Sequence, residues 1–193
     1  MLTRPCRSLL DLSVGRQVIP VIENRLQFVH AFDAPQVSAI ILRHCNLFEL
    51  QTLLERTYRK GLAVYVNIDN IEGIHADSAG LNYLADHFHV AGIISSNPRT
   101  LYLGKQLGLE TIQRIFAMDS TGLETAIESV DRQFVDLLDI SPALVLPYVI
   151  PFLVTPLPLP FTASGLIQSD QQIQAALQCG ALAVLVTRSE FWQ

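Results

Sequence analysis

A glutamine and an arginine, Gln113 and Arg114, stand side by side in a run of strand formers. Gly108, a helix stop, precedes the run, and Asp119 or Ser120, a helix start, follows it. A strand turns successive side chains to opposite faces, so one of the two enters the interior. A polar or charged group there is costly unless it is paired, and it calls for a structural partner or a ligand. Arg114 suits an anion. Asp69, Glu72 and Asp139 are equally open to it as ion-pair partners.

Other polar groups sit just after predicted strands. Asn67 and Asp69 share one strand face by period two, with Glu72 close behind. They suit the hydroxyls of a small ligand; equally, Asp69 caps a turn and Asn67 satisfies backbone groups. Ser95, Ser96 and Asn97 precede a helix and read as caps. Further on come Ser164-Gly165-Leu166-Ile167 and Thr187-Arg188-Ser189. Gly165 lets backbone approach an anion; Arg188 adds charge there or faces solvent. His87 and His89, with His75 nearby, fall at a helix end without a third ligand and read as surface residues, so no metal site is expected. No P-loop, dinucleotide fingerprint or nucleophile elbow is present, and no cofactor is expected. Arg56, Arg59 and Lys60 share one helical face. They read as a solvated helix end or as a weak RNA contact.

These groups act together only if the fold brings them to one end. Hydrophobic patterning predicts strands over 17–22, 37–42, 62–68, 90–95, 111–116, 134–140, 158–163 and 181–187. Helices are predicted over 26–32, 47–60, 77–88, 98–107, 120–132, a broken 143–153, and 169–179. Regular alternation of strand and helix means parallel strands joined by crossovers. The pattern predicts an α/β fold, a compact TIM-type (β/α)8 barrel of one domain over 1–193, with residues 1–16 as a leading segment. A doubly wound open sheet is the alternative. In such a barrel ligands bind where strands end, and phosphate is often held by the loops after strands seven and eight near a helix N-terminus.

Half of the 193 residues are hydrophobic and 16% are charged, which fits a filled core. A net charge of −5 gives no basic surface for nonspecific nucleic-acid binding. Three scattered cysteines, Cys6, Cys45 and Cys179, form no disulfide framework, and a cytoplasmic location is expected. The 143–161 segment has the length and the lack of charge to span a bilayer, but five prolines from Pro147 to Pro160 break it, so no membrane is expected.

Taken in order, Asn67-Ile-Asp-Asn-Ile-Glu-Gly73, Ala91-Gly-Ile-Ile-Ser95, Leu107-Gly-Leu-Glu-Thr-Ile-Gln-Arg114, Asp119-Ser120 and Ser164-Gly-Leu-Ile167 resemble the glycerol-3-phosphate-responsive antiterminator family of bacteria. The resemblance runs from about Gln17 to Trp192. It implies a (β/α)8 fold without catalytic activity, sn-glycerol 3-phosphate or a similar small phosphorylated polyol as effector, and leader mRNA of glycerol-utilisation genes as partner. By position it assigns ligand roles to Asp69, Glu72, Gln113, Arg114, Asp119 and Gly165, with Asn67 where the family has His, and Asp139 where it has Glu. Thr187 is left from a Ser-Thr-Ser run, and Ser164 replaces the first glycine of a Gly-Gly turn. The lysines of the family's sixth helix are missing; the uncharged 143–161 segment is expected to make a subunit contact instead. Two other readings are a barrel that has become a protein-interaction module, and an enzyme using Asp69 or Asp139 as acid or base.

Overall fold

The computed structural model describes residues 8–11 and 17–192. Of the expected leading segment, 8–11 is therefore seen, while 1–7 and 12–16 lie outside the described residues. The strands are β1 (Val18–Ile22), β2 (Ala39–Leu42), β3 (Ala63–Asn67), β4 (Gly92–Ser95), β5 (Glu110–Phe116), β6 (Leu137–Ser141), β7 (Phe161–Ser164) and β8 (Ala183–Val186). The helices are α1 (Arg25–Asp33), α2 (Leu47–Lys60), α3 (Ser78–Asp86), α4 (Pro98–Gln106), α5 (Ser120–Glu128), α6 (Leu146–Val149) and α7 (Asp170–Gln178). All strand pairs are parallel, and β8 returns to β1 through Val18↔Val184 and Pro20↔Val186, closing the barrel in chain order. The expected (β/α)8 barrel is thus the fold, and the open sheet is excluded.

Period two divides the strands cleanly. One face points inward: Ile19 and Val21, Ala39 and Ile41, Ala63 and Tyr65, Ile94, Ile112, Leu137, Ala183 and Leu185 fill the barrel. The other face, including Ile40, Val64, Val66, Ile93, Leu138 and Ile140, packs beneath the helices. Tyr65 is the largest side chain in the centre, and Gly92 makes room for it: a Cβ there would lie 2.7 Å from the Tyr65 ring and 2.3 Å from the Glu110 carbonyl. The short turn Leu9–Asp11 inserts Leu9 into the same interior, where its N–H donates to Tyr65 Oη at 3.0 Å. Tyr65 Oη in turn donates to Glu110 Oε2 at 2.8 Å. Burial pushes the Glu110 carboxyl above its usual value, against the pull of that hydroxyl.

Helix starts follow the caps. Asn24, Asp77, Asn97, Asp119 and Ser169 each accept from an N–H in the first turn. Most boundaries lie within one or two residues of expectation, and three differ by more. β7 begins at Phe161 rather than 158, because Pro158 and Pro160 have no N–H to give a ladder. α5 ends at Glu128 rather than 132, and β6 begins at Leu137 rather than 134, after a turn over 132–134 in which Phe134 and Val135 N–H both donate to the Asp131 carbonyl. The 143–161 segment is broken as expected, into two 3-10 turns around the four residues of α6. Among the described residues no helix is long and apolar enough to cross a membrane.

Candidate functional site

Arg114 points inward. Ile112, two residues earlier, is in the barrel interior, and Arg114 continues that face at the C-terminal end of β5. β6 supplies its partner from the same level, since Arg114 pairs in register with Asp139. Arg114 Nε and Nη2 both donate to Asp139 Oδ2 at 2.8 Å, with side-chain exposures of only 9% and 0%. Ser164 Oγ donates to the same oxygen at 3.0 Å, and Thr162 Oγ1 donates to Oδ1 at 3.1 Å. A fully buried carboxylate survives only when its lone pairs are taken up in this way. The four bonds fix the guanidinium, whose other N–H groups remain for the cavity above it.

That cavity, of about 290 Å³, lies at the ends of β7 and β8. Its walls are the loop Ser164–Gln168, the turn of Thr187 and Arg188, and the side chains of Arg43 and Arg114. Gly165 is required: its φ is +85°, and a Cβ would sit 2.7 Å from Ser141 Oγ. Leu166 follows at φ 61° with its side chain exposed. A non-glycine residue held left-handed costs on the order of 1 kcal/mol, so this loop is held in shape by its surroundings. The β8 turn is held too: Gln27 Nε2 donates to the Thr187 carbonyl at 2.8 Å, and Gln27 Oε1 accepts from Glu23 N–H. The start of α7 is capped. Ser169 caps Gln172 N–H, and Gln172 Oε1 accepts from Gln168 N–H. The side chains that bring positive charge to the cavity are the arginines.

The structure divides the expected ligand set. Arg114, Gly165 and Thr187 line the cavity, and Asp139 lies under it. Gln113 is on the opposite strand face from Arg114, the face of Ile115 that packs under helices, and does not reach the cavity. Asp119 caps α5 through Gly122 N–H at 2.7 Å. Asp69 ties two loops together, accepting from Ser95 Oγ at 2.6 Å, Ser96 N–H at 2.7 Å and Ser96 Oγ at 3.0 Å. Of the expected caps, Asn97 accepts from Arg99 N–H in the first turn of α4, while Ser95 Oγ accepts from Asn97 N–H at 3.0 Å as it donates to Asp69. The Glu72 side chain is exposed, while its backbone bridges Asn46. Asn67 is buried inside the barrel at 1% exposure, and its Nδ2 has no acceptor among the described residues.

Two further arginines line the cavity: Arg43, which the sequence reading missed, and Arg188, which it left between adding charge there and facing solvent. Arg43 sits two residues beyond Ile41 on the inward face of β2, and Glu23 holds it through Nε at 2.9 Å and through Nη2. Arg188 is paired with Glu190. The inward alternation Ala39-Ile41-Arg43 is the signal that would have found the first. The basic patch on α2 is partly structural. Arg56 lies over the rings of Phe28 and Phe32 at 5.4 and 4.9 Å, and Lys60 donates to the Phe32 carbonyl. Among the described residues no group of three or more His, Cys, Asp or Glu could hold a metal ion. Burial, with Glu49 adding to it, pushes the Cys45 thiol up to about 11, so it is not a poised nucleophile.

Residues 18–192 match the family described as glycerol-3-phosphate responsive antiterminator. The chain belongs to that family. Its curated relative YgcP of Escherichia coli K12, an uncharacterized protein, is 22% identical over 184 residues, 95% of each chain. The glycerol uptake operon antiterminator regulatory protein of Listeria monocytogenes superposes with a TM-score of 0.81 at 20% identity, covering 93% of this chain and 96% of that one. A glycerol uptake operon antiterminator-related protein of Thermotoga maritima gives 0.77 at 20% identity, covering 91% and 96%. At these identities the two structures establish the shared barrel of the family member.

Proposed function

We propose that this family member is a single-domain, cytoplasmic regulator that binds sn-glycerol 3-phosphate, or a similar small phosphorylated polyol, at the β7–β8 end of its barrel and couples that binding to leader mRNA of glycerol-utilisation genes. The observation that carries the ligand reading is the buried Arg114, held by Asp139, Ser164 and Thr162 and opening onto a cavity closed by the loops after β7 and β8. Phosphate sites in such barrels sit there. A volume of about 290 Å³ suits a small molecule rather than a nucleotide. Ser164, standing where the family has glycine, becomes part of the carboxylate's hydrogen-bond set. Asp139 thus has a structural partner on every side, which favours a binding protein over an enzyme. Burial pushes up the carboxyl of Glu110, but that group is at the N-terminal end of β5, away from the strand ends where such barrels do chemistry.

The test is calorimetric titration with sn-glycerol 3-phosphate, with glycerol and inorganic phosphate as controls. Saturable micromolar binding is expected, followed by a ligand-dependent change in affinity for leader mRNA. Absence of heat and of thermal shift at millimolar ligand would reject the sensor. A second reading, a protein-interaction module, draws on Tyr148, Phe152 and Val154, which lie 77%, 79% and 84% exposed on the segment after β6. The same segment is our candidate for a homo-oligomer contact. An RNA contact through Arg56, Arg59 and Lys60 would be a weak one, since Arg56 and Lys60 also pack on α1 and tight RNA binding needs several phosphate partners.

A further inference from the structure

Exposed apolar side chains gather around the end of β6. Ala117 N–H, just after β5, donates to the Ser141 carbonyl at 2.8 Å. On the other side Gly165 lies so close that a Cβ there would be 2.7 Å from Ser141 Oγ. The loops after β5 and β7 therefore both rest on the end of β6. They carry Phe116, Met118 and Leu166, which are 55%, 88% and 64% exposed. The chain that leaves β6 adds the exposed Tyr148, Phe152 and Val154. Phe116 is two residues beyond Arg114 on the same strand face, so it stands at the mouth of the barrel. Leu166 has two roles in this arrangement. It is part of the wall of the cavity, and its exposed side chain belongs to the apolar face. Its neighbour Ile167 anchors the loop in the core beneath the helices.

We infer that this face pairs with a second copy of the chain, and that the partner copy, seated on Phe116 and Leu166, closes the cavity over Arg114. An aromatic side chain offers about 150–250 Å². At the exposures found here the six side chains present on the order of 700 Å², close to the ~800 Å² per partner of a standard interface. Charge selects the same occupant. Each chain carries a net charge of −5, so two copies repel except where charge is missing, and no charged residue occurs between Asp139 and Asp170. A partner of different sequence is usually selected by complementary charge, which this stretch does not offer, whereas the interfaces of homodimers are more apolar than others. The pairing is independent of the ligand reading above; the closure rests on it. If the partner covers the cavity, ligand and partner favour the same arrangement, and each tightens the other by the same factor.

The experiment is analytical ultracentrifugation of the full chain over a micromolar concentration series, with and without millimolar sn-glycerol 3-phosphate. A dimer is expected, with a dissociation constant that falls about fivefold or more when the ester is present. Met118→Asp with Val154→Asp places charge on both sides of the face and should weaken the dimer by about tenfold or more. Phe48→Asp, equally exposed at the start of α2 on the other side of the ring, should leave it unchanged. All three positions are exposed, and a thermal melt checks that the variants fold. In calorimetry the Met118/Val154 double variant should bind the ester about fivefold more weakly than the parent. A parent chain that stays monomeric, or a dimer as tight in the double variant as in the parent, would overturn the inference. A dimer lost in the double variant with no change in ester affinity would overturn the closure and leave the pairing. Failure of the parent to bind the ester would overturn the ligand reading and the closure together, while the dimer and its loss in the double variant still decide the pairing.

Discussion

Arg114→Met is the sharpest perturbation of this structure. It removes the one cation on Asp139, a carboxylate with no exposure, and leaves it only the hydroxyls of Thr162 and Ser164. Removing one partner of a buried ion pair costs about 3–5 kcal/mol, because the remaining charge is uncompensated. For a chain of this length each kcal/mol moves Tm by about 2–4 °C, so the variant should melt about 6–20 °C lower. Asp139→Asn on top of it removes the stranded charge and keeps a group that the two hydroxyls can bond. The double variant should therefore recover more than half of the loss. Phosphate binding should not return with it, since the guanidinium is still missing. Chemical denaturation of Arg114→Met, Asp139→Asn and the double variant gives the stability cycle, and calorimetry gives the binding. A loss under about 1 kcal/mol in Arg114→Met, in the range of exposed pairs, would mean that water reaches Asp139. The argument that this pair builds the floor of the site would then fail.

Two further outcomes follow from the ends of the barrel. Glu110 has a folded-state value above that of the unfolded chain. In the window between the two, the native state holds a proton that the unfolded state has lost, so stability falls as pH rises through it. Glu110→Gln keeps an acceptor for Tyr65 and should flatten that part of the profile; urea melts from pH 4 to 7 that retain the full slope would refute the assignment. At the other end, Tyr148→Asp with Phe152→Glu should leave the unfolding free energy within about 1 kcal/mol of the parent, as exposed substitutions do. It should also abolish any dimer seen by sedimentation at tens of micromolar, and an unchanged dimer would remove the 143–161 segment from the interface.

Much of the fold is written in local patterns. Continuous apolar runs such as those around Ile40–Leu42 and Ala183–Val186 need burial on both faces, and β1, β3, β4, β5 and β7 are each followed by a helix with its own side-chain cap. That alternation leaves a closed parallel barrel as the economical way to cover every strand. The same logic places Gly165 and Thr187 beyond the seventh and eighth strands, where a ligand would meet them. It also marks Arg114 and Gln113 as a pair of which only one can enter the interior.

Which one enters was decided by tertiary structure. Period two is local, but its phase comes from packing: Ile112 fills the barrel beside Ile94 and Leu137, and that turns Arg114 in and Gln113 out. The partner was decided in the same way. Asp69, Glu72 and Asp139 were equal in sequence, and only the β5–β6 register sets Asp139 beside Arg114. Asp69 meets Ser95 and Ser96 because β3 and β4 end side by side. Arg43 joins Arg114 and Arg188 from residues more than seventy positions apart, because closing a sheet into a ring brings all strand ends to one mouth. A chain read one segment at a time carries the faces and the caps. The register between strands, and so the company each charge keeps, is set by how the whole core fills its volume.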